Sequence, residues 1–239
     1  SASGQKKALL AKEAKRFFGT PMYLWNAGIG LIMLVAMGVA ALVMQKDLRG
    51  FIAMIGGDFP VALVAAAVMG FCLSMTAIAA PSISLEGKYL WILREAPVGE
   101  SALLWMKTGF QLLLSVPCTI VAGVCLAIAL ELSPVEGVAL LLITLLFNGG
   151  HAVFGMLVGL AFPKLDAVNE TVVVKQSLAV WLGMFVPMAM VGVCCLLYWL
   201  GGMITPWASL VLPVILLAVW MAVCALMLTK KGPAMLRAL

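Results

Sequence analysis

The ionisable residues of this chain are few and gathered. Between two apolar runs lies the stretch 83–98, which carries Glu86, Lys88, Arg94 and Glu95 beside Tyr89 and Trp91. A second charged stretch, 162–177, carries Lys164, Asp166, Asn169, Glu170 and Lys175. Charges of both signs next to aromatic rings, at the edge of an apolar run, suit contact with a partner. The charges supply salt bridges and hydrogen bonds, and the rings sit where hydrocarbon meets water. A third polar group, Asn148-Gly149-Gly150-His151, lies inside an apolar run. Polar side chains at that depth are costly, and mark either a substrate or proton site or a hydrogen bond between helices. The second reading is preferred, because a single His with no carboxylate at the same depth makes a poor proton relay. No Asp or Glu stands deep in any apolar run, which also argues against an ion-coupled secondary transporter.

Other chemistry is missing from the sequence. There is no Gly-rich phosphate loop of the G-x-x-x-x-G-K-[ST] kind, and no nucleophile, base and orienting group stand together. No enzymatic activity is therefore expected of this chain. Cys72, Cys118, Cys125, Cys194, Cys195 and Cys224 all fall in apolar runs without metal-ligand spacing, so buried free thiols are expected and no metal.

The elements that must carry these groups are membrane spans. Of 239 residues, 64% are hydrophobic and 10% charged, far below the roughly 25% charged typical of soluble domains. Continuous apolar runs near 21–44, 61–80, 108–130, 138–162, 178–200 and 207–229 are each about as long as a span requires. They are not alternating, which excludes a transmembrane barrel. The expected fold is an all-α membrane protein, one domain over 1–239, built as a six-helix transmembrane bundle. With the N-terminus in the cytoplasm, 13 Lys and Arg fall inside and only Lys46 and Arg49 outside, so both termini are expected in the cytoplasm. The net charge of +5 then describes loops facing anionic membrane lipid rather than a nucleic-acid site.

Residues 5–18 read as an amphipathic interfacial helix, with Leu10, Ala11, Ala14, Phe17 and Phe18 on one face and Lys12, Lys15 and Arg16 on another. An outside loop near 45–60 turns at Gly56-Gly57-Asp58 and Pro60, and Lys230-Lys231-Gly232-Pro233 stops the last span. Pro117, Pro187 and Pro213 fall inside spans and bend them. In the segment 82–98, Leu85, Tyr89, Ile92 and Ala96 have the spacing of one helical stripe, and Pro97 ends it. A helix there either docks into a partner or lies on lipid as a connector, and its residues leave both open.

Two motifs at these positions carry a resemblance. Ser84, Glu86, Gly87, Lys88, Trp91, Leu93, Arg94 and Pro97 match a pattern S-x-E-G-K-x-x-W-x-L-K-x-x-P, with Arg94 for the usual Lys. Phe162, Pro163, Lys164, Leu165, Asn169, Glu170, Lys175 and Gln176 match F-P-K-L-x-W-x-N-E-x-x-x-x-K-Q, with Ala167 in place of Trp. Glu13, Lys15, Arg16, Pro21, Tyr23 and Asn26 match the entry to the spans. Over nearly its whole length the chain resembles the membrane subunits of a bacterial family of ABC exporters, in particular their C-terminal six-span half.

The resemblance implies a permease subunit in a bacterial cytoplasmic membrane. It implies an ABC ATPase subunit as partner, which binds ATP and magnesium while this chain binds no cofactor, and a second six-span unit facing the first. Glu86, Gly87, Lys88, Trp91, Arg94 and Glu95 would form the coupling contact, with 164–175 a second cytoplasmic loop. The rival expectations are a secondary transporter or channel using Asn148 and His151, and a non-transporting membrane scaffold.

Overall fold

Capping residues divide the apolar sequence into helices. The structure, a computed structural model, describes residues 2–55, 60–95, 98–167 and 169–239, and among them there is no strand. The helices are α1 (Ala2–Gly19), α2 (Pro21–Val43), α3 (Gln45–Ile55), α4 (Val61–Ser74), α5 (Leu90–Arg94), α6 (Glu100–Ala129), α7 (Pro134–Ala161), α8 (Glu170–Gln176), α9 (Leu178–Gly202) and α10 (Pro206–Arg237). Ser133 and Glu136 close a reciprocal capping box at the start of α7, and Ser177 and Thr205 cap α9 and α10. Such caps satisfy N–H groups that a helix start leaves open.

The result is an all-α membrane bundle. Among the described residues, five helices are long and apolar enough to cross a membrane: Pro21–Val43, Glu100–Ala129, Pro134–Ala161, Glu170–Gly202 and Trp207–Arg237. The central one is α7, buried over 61% of its most apolar window against 17% for the last helix. It packs on α4, α6, α9 and α10.

The second expected span, 61–80, is corrected. Its helix stops at Ser74 after 14 residues, about 21 Å, short of a hydrocarbon core of about 30 Å. The chain then runs through Met75–Ile83 without regular helix, buried from Thr76 onward. Irregular backbone survives at membrane depth only inside protein that supplies its hydrogen bonds. Here Tyr23 donates to the Ile78 carbonyl at 2.8 Å, Ala79 N–H donates to Gln111 Oε1 at 2.8 Å, and Ser82 Oγ donates to the Ala79 carbonyl at 2.7 Å. Glycines admit the segment. A Cβ on Gly159 of α7 would strike the Ala80 carbonyl, and one on Gly30 of α2 would strike the Cys72 carbonyl.

Three further boundaries differ from expectation. The loop near 45–60 begins as helix α3, with Leu48, Phe51, Ile52 and Ile55 at helical spacing, and Arg49 pins it by donating to the Ala129 and Ile128 carbonyls at 2.7 and 3.0 Å. The turn Gly56-Gly57-Asp58 lies outside the described residues. The third span starts at Glu100 rather than near 108, and the last helix continues through Pro233 to Arg237.

A methyl group on Gly159 must displace backbone, so Gly159→Ala is expected to destabilise the bundle by about 1–3 kcal/mol. Gly192→Ala, where a Cβ meets nothing within 4 Å, should leave stability unchanged or slightly raised. Unfolding curves in mild detergent measure both.

Candidate functional site at the charged end of the bundle

Five charged side chains meet where α1, the segment after Ile83 and α6 converge. Leu10, Ala14 and Phe17 pack α1 onto the core and turn Glu13 inward, where it is 4% exposed, while Ala11 and Phe18 stay exposed. From α6 comes Lys107, 1% exposed. Its ammonium donates to Glu13 Oε1 at 2.6 Å, to Glu86 Oε1 at 2.7 Å and to the Ser82 carbonyl at 3.2 Å, which uses all of its protons. Glu86 also accepts from Lys12 at 2.8 Å and from both Arg16 nitrogens at 2.9 and 3.2 Å. The Arg16 contact is the two-pronged guanidinium–carboxylate pairing that fixes orientation as well as charge.

Burial alone would raise the Glu86 pKa, but Lys107 and Arg16 outweigh it and lower it to about 2. For Arg16, burial works against the cation, and the hydrogen bond and charge of Glu86 reverse this to raise its pKa above the ordinary value. Both groups are held ionised. Such a cluster is stable only while complete, since a buried charge stripped of its partner costs several kcal/mol.

The cluster shapes the coupling segment. Glu86 is 3% exposed and holds the segment to α1 and α6, so its carboxylate is spent inside the chain. The single helical stripe is corrected. Ser84–Tyr89 forms a 3-10 turn, Gly87 takes φ 52° and ψ −137°, and α5 follows. A side chain at that positive φ is strained, so the position suits glycine. The change of direction buries Leu85 and Leu90 and leaves Tyr89, Trp91 and Ile92 exposed at 57%, 60% and 50%. Lys88 sits 5.4 Å over the Tyr89 ring, and Glu95 is exposed. The side chain of Arg94 lies outside what the structure describes, as do Ala96 and Pro97.

The second charged stretch comes to the same place. The Lys164 N–H donates to Ser84 Oγ at 2.9 Å. Asn169 caps α8 by accepting from Val172 N–H at 3.1 Å, Glu170 accepts from Thr20 at 3.1 Å, and Val173 and Val174 enter the core. Asp166 and Lys175 are exposed. Asn148 and His151 do not join this site. Ser115 donates to Asn148 Oδ1 at 2.8 Å, and Asn148 donates to Thr119 at 3.3 Å. Gln111 uses its oxygen on Ala79, so its NH₂ faces His151 Nδ1 at 3.2 Å, and the other ring nitrogen donates to the Gly183 carbonyl at 3.1 Å. Both residues are therefore engaged between helices.

Sequence reasoning missed Glu13 and Lys107 as members of the cluster. The available signal was a lone cation, Lys107, seven residues inside the helix that begins at Glu100. Its partners are 94 and 21 residues away, beyond the reach of any local pattern.

Lys107→Met leaves two buried carboxylates without their shared cation and is expected to cost about 3–5 kcal/mol. Lys175→Met, on the exposed side of α8, should stay within about 0.5 kcal/mol in the same detergent unfolding assay. The folded pKa of Glu86 lies below its ordinary 4.5, so its contribution is complete above about pH 5 and is lost as pH falls toward about 2. Thermal stability of the native chain should fall over that window, and Glu86→Gln should flatten the fall.

A family model described as putative ATP-binding cassette matches residues 2–177. No curated protein and no solved structure matches the chain. The description overturns one expectation: it names an ATPase-type ABC component, so the assignment as the membrane-spanning permease subunit of an exporter is withdrawn. The matched region holds the charge cluster and both charged segments, and with about three quarters of its length covered the chain belongs to the putative ATP-binding cassette family.

Proposed function

We propose that the chain serves an ABC transport system as a membrane-embedded docking component, which holds an ATP-hydrolysing subunit at its charged end. The observation that carries this reading is the pairing of a rigidly held segment with an exposed aromatic face. The Glu86 cluster and the Ser84–Lys164 contact hold the segment's start, and Tyr89, Trp91 and Ile92 face outward beside Lys88 and Glu95. Aromatic anchors on a fixed support lose little entropy on binding and are the common energetic centre of protein interfaces. ATP and magnesium belong to the partner in this reading, because the chain has no phosphate-cradling loop. In this reading the charged end and both termini face the cytoplasm across a bacterial cytoplasmic membrane, which the excess of Lys and Arg at this end supports.

The family description favours a second reading, in which the chain itself binds nucleotide. One experiment separates them. The chain, produced with its native partners and purified in mild detergent, should retain an ATPase, and Tyr89→Ala with Trp91→Ala should release it while the bundle stays folded. Truncating two interface aromatics is expected to weaken retention by roughly 100-fold or more, about 2.8 kcal/mol or above. Saturable binding of Mg-ATP to the chain freed of every partner would reject the docking reading and support the second.

A further inference from the structure

We infer that a groove between α1 and the start of α2 binds the phosphate of an anionic phospholipid. The groove is open to the surface, with a volume of about 640 Å³, and Lys12, Lys15, Arg16, Gly19, Thr20 and Glu170 line it. Lys12, Lys15 and Arg16 stand at helical spacing on one face of α1.

Charge is the first argument. The groove and the cluster behind it share four cations, Lys12, Lys15, Arg16 and Lys107, against three carboxylates, Glu13, Glu86 and Glu170. One positive charge is unmatched, and a phosphodiester carries one negative charge. Lys12 spends a single proton on Glu86 and remains 42% exposed, so it has donors left for a ligand. The second argument is the backbone. The 23-residue α2 opens at Thr20, which lines the groove and makes no side-chain cap, so the positive end of that helix begins at the groove's edge. The third is depth. Trp25, in the second turn of α2, is 60% exposed, and tryptophan is enriched at the membrane boundary. Basic pockets at that level between membrane helices suit phospholipid head groups. Glu170 borders the groove and accepts from Thr20, so it competes with an incoming phosphate.

The test is a titration of the purified full chain, in detergent, with short-chain phosphatidylglycerol and with phosphatidylcholine of equal chain length, read by native mass spectrometry. One phosphatidylglycerol is expected per chain, at lower concentration than phosphatidylcholine. Lys15→Gln should weaken it about fivefold, and Glu170→Gln should tighten it. Lys231→Gln removes the same charge from an exposed position on α10 and should leave binding unchanged. Equal binding of both lipids, or equal losses in Lys15→Gln and Lys231→Gln, would overturn the site. Competition by inorganic phosphate at concentrations comparable to the lipid would assign the groove to a free anion and overturn the lipid.

Discussion

The ammonium of Lys107 is the point on which the charged end of this bundle depends. It is buried, its protons are all committed, and its acceptors come from two separate stretches of chain, α1 and the segment 82–86. A buried cation is tolerable only if each hydrogen-bonding position lost from water is replaced. Satisfying Lys107 therefore requires α1 to lie against α6 and the chain after Ile83 to turn back under both. Glu86 then collects Lys12 and Arg16 as well, which ties α1 to the bundle.

The same constraint explains why the second apolar run fails to be one helix. A continuous helix through 80 would carry Ser82 and Glu86 along its own axis, away from Lys107. Instead α4 ends at Ser74, and the following residues are carried by side chains from α2 and α6. Gln111 does two jobs in this arrangement. Its oxygen takes the Ala79 N–H and its nitrogen faces His151, which in turn donates to Gly183. The polar residues at membrane depth thus form a chain of bonds across four parts of the fold, and the irregular segment is one of its ends.

Membership in the ATP-binding cassette family and the all-helical bundle bear on different levels of description. The family locates the chain among ABC components, and the bundle describes a body with helices able to cross a membrane. The region that the family model covers ends at 177, at the cap of α9, and takes in both charged segments. Those segments, 80 residues apart, touch through Ser84 and Lys164.

Much of the architecture was legible in the sequence, for a simple reason. In lipid a backbone must satisfy itself, so a long apolar run can only be a helix, and composition alone determined the class, most of the spans and the clustering of charge at one end. The amphipathic α1 follows from local periodicity, whereas α8 and its Asn169 cap lie in a stretch that reads in the sequence as a charged loop. Tertiary structure alone decided which charges are buried. Glu86 and Glu95 look equivalent in the sequence, yet one is enclosed by three cations and the other faces solvent. The break after Ser74 was likewise invisible, because its hydrogen-bond partners, Tyr23 and Gln111, lie 55 and 32 residues away. Hydropathy reports how apolar a run is. Only packing reports whether a neighbour stands ready to replace the hydrogen bonds a helix would have made.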